Sequence, residues 1–327
     1  MKIKDIAAAA GVSTATVSRV LSDKQNVRPE VRKRVLAVVK KLNYTPNRAA
    51  RSLRSRKTTT IGLIVADIQN PFFASVCRGV EDVAQGADYS VILCNTDENP
   101  AKEKMCLELL QNENAAGIIL APTGRLVENF PKELADSTPM VIIDRKVADV
   151  ATDCVVIDNF QAARSLTAHV LAQGYRRIAA LFGADSVTGA ERKAGFLAAW
   201  AEAGLTADPQ LVIELPARAD TGHAEVTRLL EREVPPEAIL TSSGLLATGA
   251  FKAIRDKELA VPDTVAFATF DETPWTQMIR PAITVVEQPT YAIGQTACEM
   301  LLKRIENPDR PIRQVVLASR LIVRQSC

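Results

Sequence analysis

Short apolar runs alternate with amphipathic helical stretches from Thr60 onward, and this alternation constrains the fold more than any other feature. The runs are Ile61–Ala66, Ser90–Cys94, Gly117–Ala121, Met140–Ile143, Cys154–Ile157, Ile178–Phe182, Leu211–Leu215, Ala238–Leu240 and Val265–Phe270. Because they are apolar on both faces, they are typical of strands in parallel sheets that helices cover on each side. The helices are predicted at Phe72–Gln85, Ala101–Gln111, Gln161–Ala172, Thr188–Ala203, Gly222–Glu233, Leu245–Lys257 and Tyr291–Ile305. The number of runs favours two doubly wound sheets, with a ligand cleft beyond the carboxyl ends of the strands.

Charge divides the chain at the same place. Residues 1–60 contain 15 Lys and Arg against 3 Asp and Glu, whereas the rest of the chain contains 25 against 35. The net charge of +2 therefore conceals a basic head (residues 1–60) on an acidic body. Clustered cations displace counterions from a phosphate backbone, which makes nucleic acid a candidate partner of the head. A solvated basic helix would carry the same charge, so the pattern inside the head has to decide.

The head has the pattern of two helices joined by a tight turn, followed by a third helix. Apolar residues recur at helical spacing over 3–10 and again over 17–21. Gly11 between them can adopt the positive φ of a turn, and Ser13 can cap the second helix. The third helix begins at Pro29, a favourable first-turn residue, and its apolar positions extend to Leu42. We predict a small all-α domain.

The segments IKDIA (3–7), AGVS (10–13), TVSRVL (16–21) and NYTPN (43–47) closely resemble the helix-turn-helix head of the LacI/GalR family of bacterial transcription regulators. The alternative is a small alanine-rich bundle. The resemblance implies that the second helix enters the major groove of DNA. Base contacts are then expected from Thr14, Ala15 and Arg19, and phosphate contacts from Thr16, Ser18 and Asn26. Capping or plain exposure is the alternative for the phosphate-contacting residues.

Residues 47–54 form a short helical pattern with basic residues and little apolar material. Such a helix is marginal alone in water, because it does not recover the cost of nucleation. It resembles the hinge helix of the family, which orders on DNA and inserts a leucine into the minor groove. Asn47, Ala50 and Leu53 are therefore expected to contact DNA, with Leu53 as the wedge that bends the duplex. The alternative is that Leu53 packs on the body.

The body resembles the family's effector domain, which is similar to periplasmic sugar-binding proteins. The segments that carry the resemblance are TIGLI (60–64), DIQNPFF (67–73), CNTD (94–97), GIILAP (117–122), GAERKAGF (189–196) and TVVEQP (284–289). Taken together, the resemblances of the head and the body imply four parts. These are a helix-turn-helix domain at 1–45, a hinge helix and linker at 46–59, an N-lobe at 60–158 plus 287–318 and a C-lobe at 159–286 plus 319–327. Residues expected in the cleft between the lobes are Asn70, Phe72, Asp97, Arg145, Arg192, Ser243, Asp271, Glu272 and Trp275.

Two arginines in that set bear on the ligand. The guanidinium groups of Arg145 and Arg192 suit a carboxylate or a phosphate, and Trp275 could stack on a sugar ring. Ser242 and Ser243 stand where the family often has an Asn-Asp pair, which removes a carboxylate. The hypothesis is a sugar acid or phosphosugar as effector. The alternatives are that Arg145 pairs with Asp144 or another acid of the cleft, that Trp275 is a core residue, and that Asp97 is a helix cap.

The sequence also argues against several functions. Its 47% apolar and 24% charged residues exclude a disordered chain. The six cysteines are scattered, only two histidines are present, and no phosphate-binding or catalytic motif is found, so neither a metal nor a cofactor is expected. Without a signal peptide or membrane span, the cytoplasm is the expected location. We predict a homodimeric repressor on a palindromic operator, against the alternatives of a cytoplasmic sugar-metabolising enzyme or a transport-type sugar-binding protein.

Overall fold

The computed structural model describes residues 3–21, 27–42, 58–124, 138–147, 150–184 and 186–327. The chain forms two compact units, Met1–Thr58 and Thr59–Cys327. Three helices make up the described part of the first unit: α1 (Ile3–Ala10), α2 (Thr14–Leu21) and α3 (Pro29–Lys41). Their buried faces meet in a core around Ile6, Val17 and Val35. The turn between α1 and α2 has Gly11 at φ +62°, and Ser13 Oγ accepts a hydrogen bond from Thr16 N at 3.1 Å.

The second unit contains two six-stranded sheets with helices on both faces. The strands are β1 (Thr60–Val65), β2 (Ser90–Asn95), β3 (Gly117–Leu120), β4 (Met140–Ile143), β5 (Asp153–Ile157), β6 (Ile178–Gly183), β7 (Val212–Leu215), β8 (Ala238–Thr241), β9 (Ala266–Phe270), β10 (Thr284–Glu287), β11 (Gln314–Leu317) and β12 (Arg320–Ile322). The helices are α4 (Pro71–Gly86), α5 (Pro100–Asn112), α6 (Asn159–Ala172), α7 (Val187–Glu202), α8 (Ala219–Leu230), α9 (Gly244–Asp256), α10 (Pro274–Met278) and α11 (Thr290–Glu306). The predicted fold class, a helical head and an α/β body with two doubly wound sheets, is confirmed.

The first sheet has the order β11-β5-β4-β3-β1-β2, and all its pairs are parallel. We call this sheet with its covering helices α4, α5 and α11 the N-lobe. Helices α4 and α11 cross so closely that a Cβ on Gly79 would lie 2.2 Å from the carbonyl oxygen of Tyr291. The N-lobe therefore depends on a helix that the chain supplies only after the second sheet is nearly complete.

The second sheet has the order β12-β10-β9-β8-β6-β7, and we call it with helices α6 to α10 the C-lobe. All its pairs are parallel except β10 with β12, which is antiparallel. The chain passes between the lobes three times, after β5, after β10 and between β11 and β12. These crossings leave the carboxyl ends of both sets of parallel strands facing a shared cleft.

Several elements differ from the sequence-based expectation. β10, β11 and β12 were not among the predicted strands, and they are short. Helix α8 begins at Ala219, not at Gly222, and ends at Leu230. The physical reason is that Gly222 is an interior contact residue, where a Cβ would lie 2.8 Å from the carbonyl oxygen of Leu246. The sequence-based prediction thus took a glycine that allows close packing inside the helix as the start of the helix.

Candidate functional site

The cleft between the two lobes holds a cavity of about 1120 Å³. Its walls are the segments that follow β1, β2, β3 and β4 in the N-lobe and β6, β7, β8 and β9 in the C-lobe, together with Gln288 after β10. Seven of the predicted cleft residues line it: Asn70, Phe72, Asp97, Arg145, Arg192, Ser243 and Asp271. This is where ligands bind in open α/β sheets, because strand ends and helix N-termini converge there.

Arg192 is held rigidly in the C-lobe wall. It lies in α7, and only 5% of the residue is exposed. Its Nε donates to Asn159 Oδ1 at 2.8 Å, its Nη1 donates to the carbonyl oxygen of Ser242 at 2.5 Å, and its guanidinium carbon lies 4.2 Å above the ring of Phe270. Among the described residues, no acceptor is bonded to Nη2. One edge of a fixed cation is therefore available to a ligand.

Burial lowers the pKa of Arg192, and the carboxylates of Asp271 and Asp144 oppose that effect. An arginine keeps its charge under such a shift, because its ordinary pKa lies far above neutrality. The guanidinium is thus a permanent, desolvated cation in the wall of the cleft.

Arg145 has less to offer a ligand, because its side chain is occupied by carboxylates. Nη1 and Nη2 donate to Glu98 at 2.9 and 2.5 Å, and Nε donates to Asp144 at 3.2 Å. Nη1 also reaches the carbonyl oxygen of Pro122 at 3.1 Å. Burial lowers the pKa of Arg145, but the hydrogen bonds and charges of Glu98 and Asp144 outweigh it and raise the pKa above its usual value. The pairing with cleft acids, considered as an alternative, is the observed arrangement.

Asp271, in the C-lobe wall, accepts hydrogen bonds from two separate parts of the chain. Its backbone has φ +73°, its Oδ2 accepts from Gly244 N at 2.7 Å, and its Oδ1 accepts from Gln288 Nε2 at 2.6 Å. Gln288 follows β10, at one of the three crossings between the lobes. The carboxylate of Asp271 is therefore bonded to a side chain on one of the connections between the lobes.

Asp97 and Asn70 lie on the N-lobe wall. Asp97 accepts from Lys102 Nζ and, at 2.6 Å, from Asn95 Nδ2. These hydrogen bonds, that of Lys102 first, lower the pKa of Asp97, so its carboxylate is charged at neutral pH. It is not a helix cap, since Asn99 caps α5; Asn70 does cap α4, through Phe72 N at 3.1 Å.

Glu272 and Trp275, also predicted for the cleft, are not among the residues that line the cavity. Glu272 pairs with Arg324 at 2.9 Å, and Trp275 packs on Phe251 with ring centroids 5.4 Å apart. The left-handed turn at Asp271 lets that residue face the cleft while the residues that follow it pack elsewhere in the C-lobe. Trp275 is thus a packing residue, as the alternative interpretation had it.

Sequence reasoning missed three residues that shape the cleft, Glu98, Asn159 and Gln288, and named Asp144 only as a possible partner of Arg145. Asp144 and Glu98 stand next to predicted residues, and both have positive φ, at +69° and +54°. Non-glycine residues in that conformation are uncommon and cluster at functional sites. A sequence does not reveal which non-glycine residues adopt a positive φ. Gln288, by contrast, directly follows an apolar run, and its place in the cleft could have been predicted from that position.

Glu103 is a fully buried carboxyl group behind the N-lobe wall. Its Oε2 accepts from Thr123 N at 2.6 Å. Burial raises the pKa of Glu103 to about 7, although the hydrogen bonds from Thr123 act in the opposite direction. A raised native pKa means that the native state favours the protonated form, so its contribution to stability is present below about pH 4.5 and is lost as the pH rises to about 7.

Glu103→Gln is therefore expected to stabilise the protein selectively at high pH. The free energy of unfolding of the variant, relative to the wild type, should increase by up to about 3 kcal/mol between pH 5 and pH 8. Urea unfolding of both proteins at these two pH values measures the difference. A difference that stays constant with pH would contradict the assignment.

In the head, the predicted DNA-contacting residues of α2 lie on its accessible side. Ala15 and Arg19 are exposed, and Thr14, Thr16 and Ser18 are half-buried, whereas Val17 and Val20 face the core. Thr16 Oγ1 also bonds to Ser13 Oγ at 2.9 Å, which ties it to the turn. The remaining predicted positions, Asn26, Asn47, Ala50 and Leu53, lie outside the described residues.

A helix-turn-helix head joined to a two-lobed unit with a cleft defines a class: DNA-binding proteins that carry a periplasmic-binding-protein-like ligand domain. Known families match both parts. Residues 58–324 match the family of periplasmic binding proteins and sugar binding domains of the LacI family, and residues 2–47 match the bacterial regulatory proteins of the lacI family. The chain belongs to the LacI family of bacterial regulatory proteins, whose members are DNA-binding transcription regulators and not enzymes.

Individual relatives agree with this membership. The catabolite control protein A of Priestia megaterium is 35% identical over 327 residues, which cover 99% of this chain and 98% of that protein. The ribose operon repressor of Halalkalibacterium halodurans is 37% identical over 99% of this chain and 96% of its own. The solved structure of a transcriptional regulator CelR–cellobiose complex has a TM-score of 0.75 at 28% identity and covers both chains fully.

No helix among the described residues is long and apolar enough to cross a bilayer. In the same part of the chain, no group of three or more His, Cys, Asp or Glu side chains is arranged to hold a metal ion.

Proposed function

We propose that this chain is a homodimeric, cytoplasmic repressor whose affinity for a palindromic operator is controlled by a small carbohydrate bound in the cleft. The observation that carries the proposal is the buried Arg192, which is fixed on two sides and open to the cleft on the third. A ligand that bridges the two lobes changes the relative free energies of the different arrangements of the lobes. It can control DNA binding only through its differential affinity for those arrangements.

The charge of the cleft favours a neutral sugar as the effector. Carboxylates outnumber cations on its walls: Asp67, Asp97, Glu98, Asp144, Asp220 and Asp271 against Arg145, Arg192 and Arg218. An anion would have to overcome that excess, whereas hydroxyl groups can donate hydrogen bonds to the carboxylates. The relation to a ribose operon repressor supports the same class of ligand and makes D-ribose the first compound to test.

A sugar acid or phosphosugar is the second candidate. It is supported by the open Nη2 of Arg192, to which a carboxylate or phosphate oxygen could bond strongly. The occupied state of Arg145 weakens this candidate, because only one of the two arginines has a free edge.

A panel of ligands separates these candidates. The full-length protein is heated with neutral pentoses and hexoses, sugar acids and phosphosugars, because a compound that binds only the native state raises the melting temperature. Shifts with neutral sugars support the first candidate, and shifts confined to the charged compounds support the second. Catalytic turnover of a bound compound would overturn the regulator in favour of an enzyme.

The dimer is proposed to form through the N-lobe edge and the end of α10 in the C-lobe. Met105 and Leu109 lie one turn apart on α5 and are 62% and 47% exposed, and Leu93 projects from the edge strand β2. Met278, at the end of α10, is 75% exposed. Apolar side chains grouped in this way mark association surfaces. Two heads brought together can bind the two halves of a palindrome, which one head of this size cannot do with useful specificity.

Arg19→Ala is expected to lower the affinity for a selected operator by about 1 to 3 kcal/mol and to relax the preference at one base pair. The exposed guanidinium can form two hydrogen bonds with guanine, and the methyl group of alanine cannot replace them. Binding-site selection followed by fluorescence anisotropy measures both effects. An equal loss on all DNA sequences would show that Arg19 contacts phosphate only.

A further inference from the structure

Glu103 lies behind the N-lobe wall of the cleft without lining the cavity. It is placed near the N-terminal end of α5, and none of its surface is exposed. A buried carboxyl group is costly unless its oxygens are bonded, so the contacts it makes indicate what it is retained for.

Both carboxylate oxygens of Glu103 accept hydrogen bonds from the same residue, Thr123. Oε2 accepts from Thr123 N at 2.6 Å, and Oε1 accepts from Thr123 Oγ1 at 3.4 Å. Thr123 is itself buried and follows β3 in the turn Ala121-Pro122-Thr123. Glu103 thereby fixes the backbone of the turn that follows β3, although Glu103 itself lies on α5.

The same turn also accepts a hydrogen bond from the side chain of Arg145. The carbonyl oxygen of Pro122 accepts from Arg145 Nη1 at 3.1 Å, one residue before the Thr123 amide that Glu103 binds. We propose that Glu103 is a positioning residue for the effector cleft: through Thr123 and Pro122 it sets the position of the Arg145 guanidinium and of its partner Glu98. The inference depends on the proposed function only in taking the cleft as the effector site.

The electrostatics agree with a coupled arrangement. The pKa of Glu103 is raised to about 7, mainly by burial; among the smaller effects, the charge of Glu98, from the segment after β2, raises it and that of Arg145, after β4, lowers it. When Glu103 is protonated, one oxygen becomes a donor, so the hydrogen bond with Thr123 Oγ1 can reverse while the bond from Thr123 N remains. The turn is then expected to report the protonation state of Glu103 near neutral pH.

Hydrogen exchange of the full-length protein, followed by mass spectrometry, tests this chain of contacts without a ligand. In Glu103→Ala, amides of residues 117–124 and also of 140–147 should exchange roughly tenfold faster, whereas residues 178–184 in the C-lobe remain unchanged. Glu108→Ala is the matched control, because Glu108 is on the same helix with a side chain that is 59% exposed. Faster exchange confined to residues 117–124 would show that Glu103 does not act on Arg145.

Glu103→Gln provides a second measurement if the alanine variant fails to fold. Its amide keeps an oxygen to accept from Thr123 N but cannot titrate. After correction for the intrinsic exchange rate, protection of residues 140–147 should change between pH 6 and pH 8 in the wild type and stay constant in the variant. A wild type as insensitive to pH as the variant would overturn the coupling.

Calorimetric titration with D-ribose links the contacts to the cleft. If D-ribose binds the wild type, Glu103→Ala should weaken binding about tenfold, and Glu108→Ala should leave the affinity unchanged. An unchanged affinity in Glu103→Ala would overturn the positioning role. If D-ribose does not bind the wild type, that candidate effector fails, and the exchange experiment still decides the role of Glu103.

Discussion

Arg192→Ala is expected to lower the affinity for the effector at least about a hundredfold, which corresponds to about 2.7 kcal/mol. The substitution removes the open edge of the guanidinium and leaves Asn159 Oδ1 and the carbonyl oxygen of Ser242 without their donor. It also removes the cation that lies near the buried carboxylates of Asp271 and Asp144. Removing one member of such a buried group usually costs more than the contact itself contributed.

Arg164→Ala is the matched control for that experiment. Arg164 lies on α6, the helix that packs on α7, and pairs with Glu202 at 3.0 Å with its side chain 37% exposed. A partly exposed pair of this kind contributes little to stability. Calorimetric titration of both variants with the compound found in the ligand panel should therefore separate them clearly. Equal affinities in the two variants would exclude Arg192 from the site.

Gly195→Ala is expected to destabilise the C-lobe by roughly 3 kcal/mol or more. A Cβ at this position would lie 2.1 Å from the carbonyl oxygen of Phe160, and backbone atoms cannot move aside as a flexible side chain can. Helices α6 and α7 would have to separate, which would also stretch the 2.8 Å hydrogen bond between Arg192 and Asn159. Both stability and effector affinity should therefore fall.

Gly86→Ala controls for the loss of a helical glycine. Gly86 is the last residue of α4, and no atom lies within 4 Å of a Cβ built there. Alanine has the higher helix propensity, so this variant should be as stable as the wild type or slightly more stable. Thermal unfolding compares the two substitutions directly. Similar melting temperatures for both variants would mean that α6 and α7 can adjust to a methyl group between them.

The architecture of the body could be predicted because hydrophobic burial sets it. Strands such as β3 and β6 are buried along their whole length, and they follow from apolar runs alone. Of the strands that were missed, β11 and β12 are half-buried or exposed along their length, whereas β10 is as long as β3 and buried over three of its four residues. Their pairing depends on where the chain returns after the second sheet, which local sequence does not specify.

The cleft was predictable only in part, for a similar reason. Arg192 lies in a segment with a distinctive spacing, and its position just inside a helix brings it to the strand ends. Trp275 follows Asp271 closely in sequence, but the turn between them directs it towards Phe251. Asp144, one partner of Arg145, could be named from the sequence because it is the neighbouring residue, whereas Glu98 is distant along the chain and meets Arg145 only through the fold.

The repeated passage of the chain between the lobes also affects how the protein is made. The N-lobe needs α11 and β11, and the C-lobe needs β12 and Ser326, whose hydroxyl donates to the carbonyl oxygen of Phe267 at 2.6 Å. During translation, neither lobe can be completed until residues beyond 287 have left the ribosome, whereas the N-terminal unit is finished early. A product of premature termination in that region would keep the helix-turn-helix unit but could complete neither lobe around the cleft. Such a product would have a DNA-binding unit without a folded body to pair it with a second copy or to bind an effector.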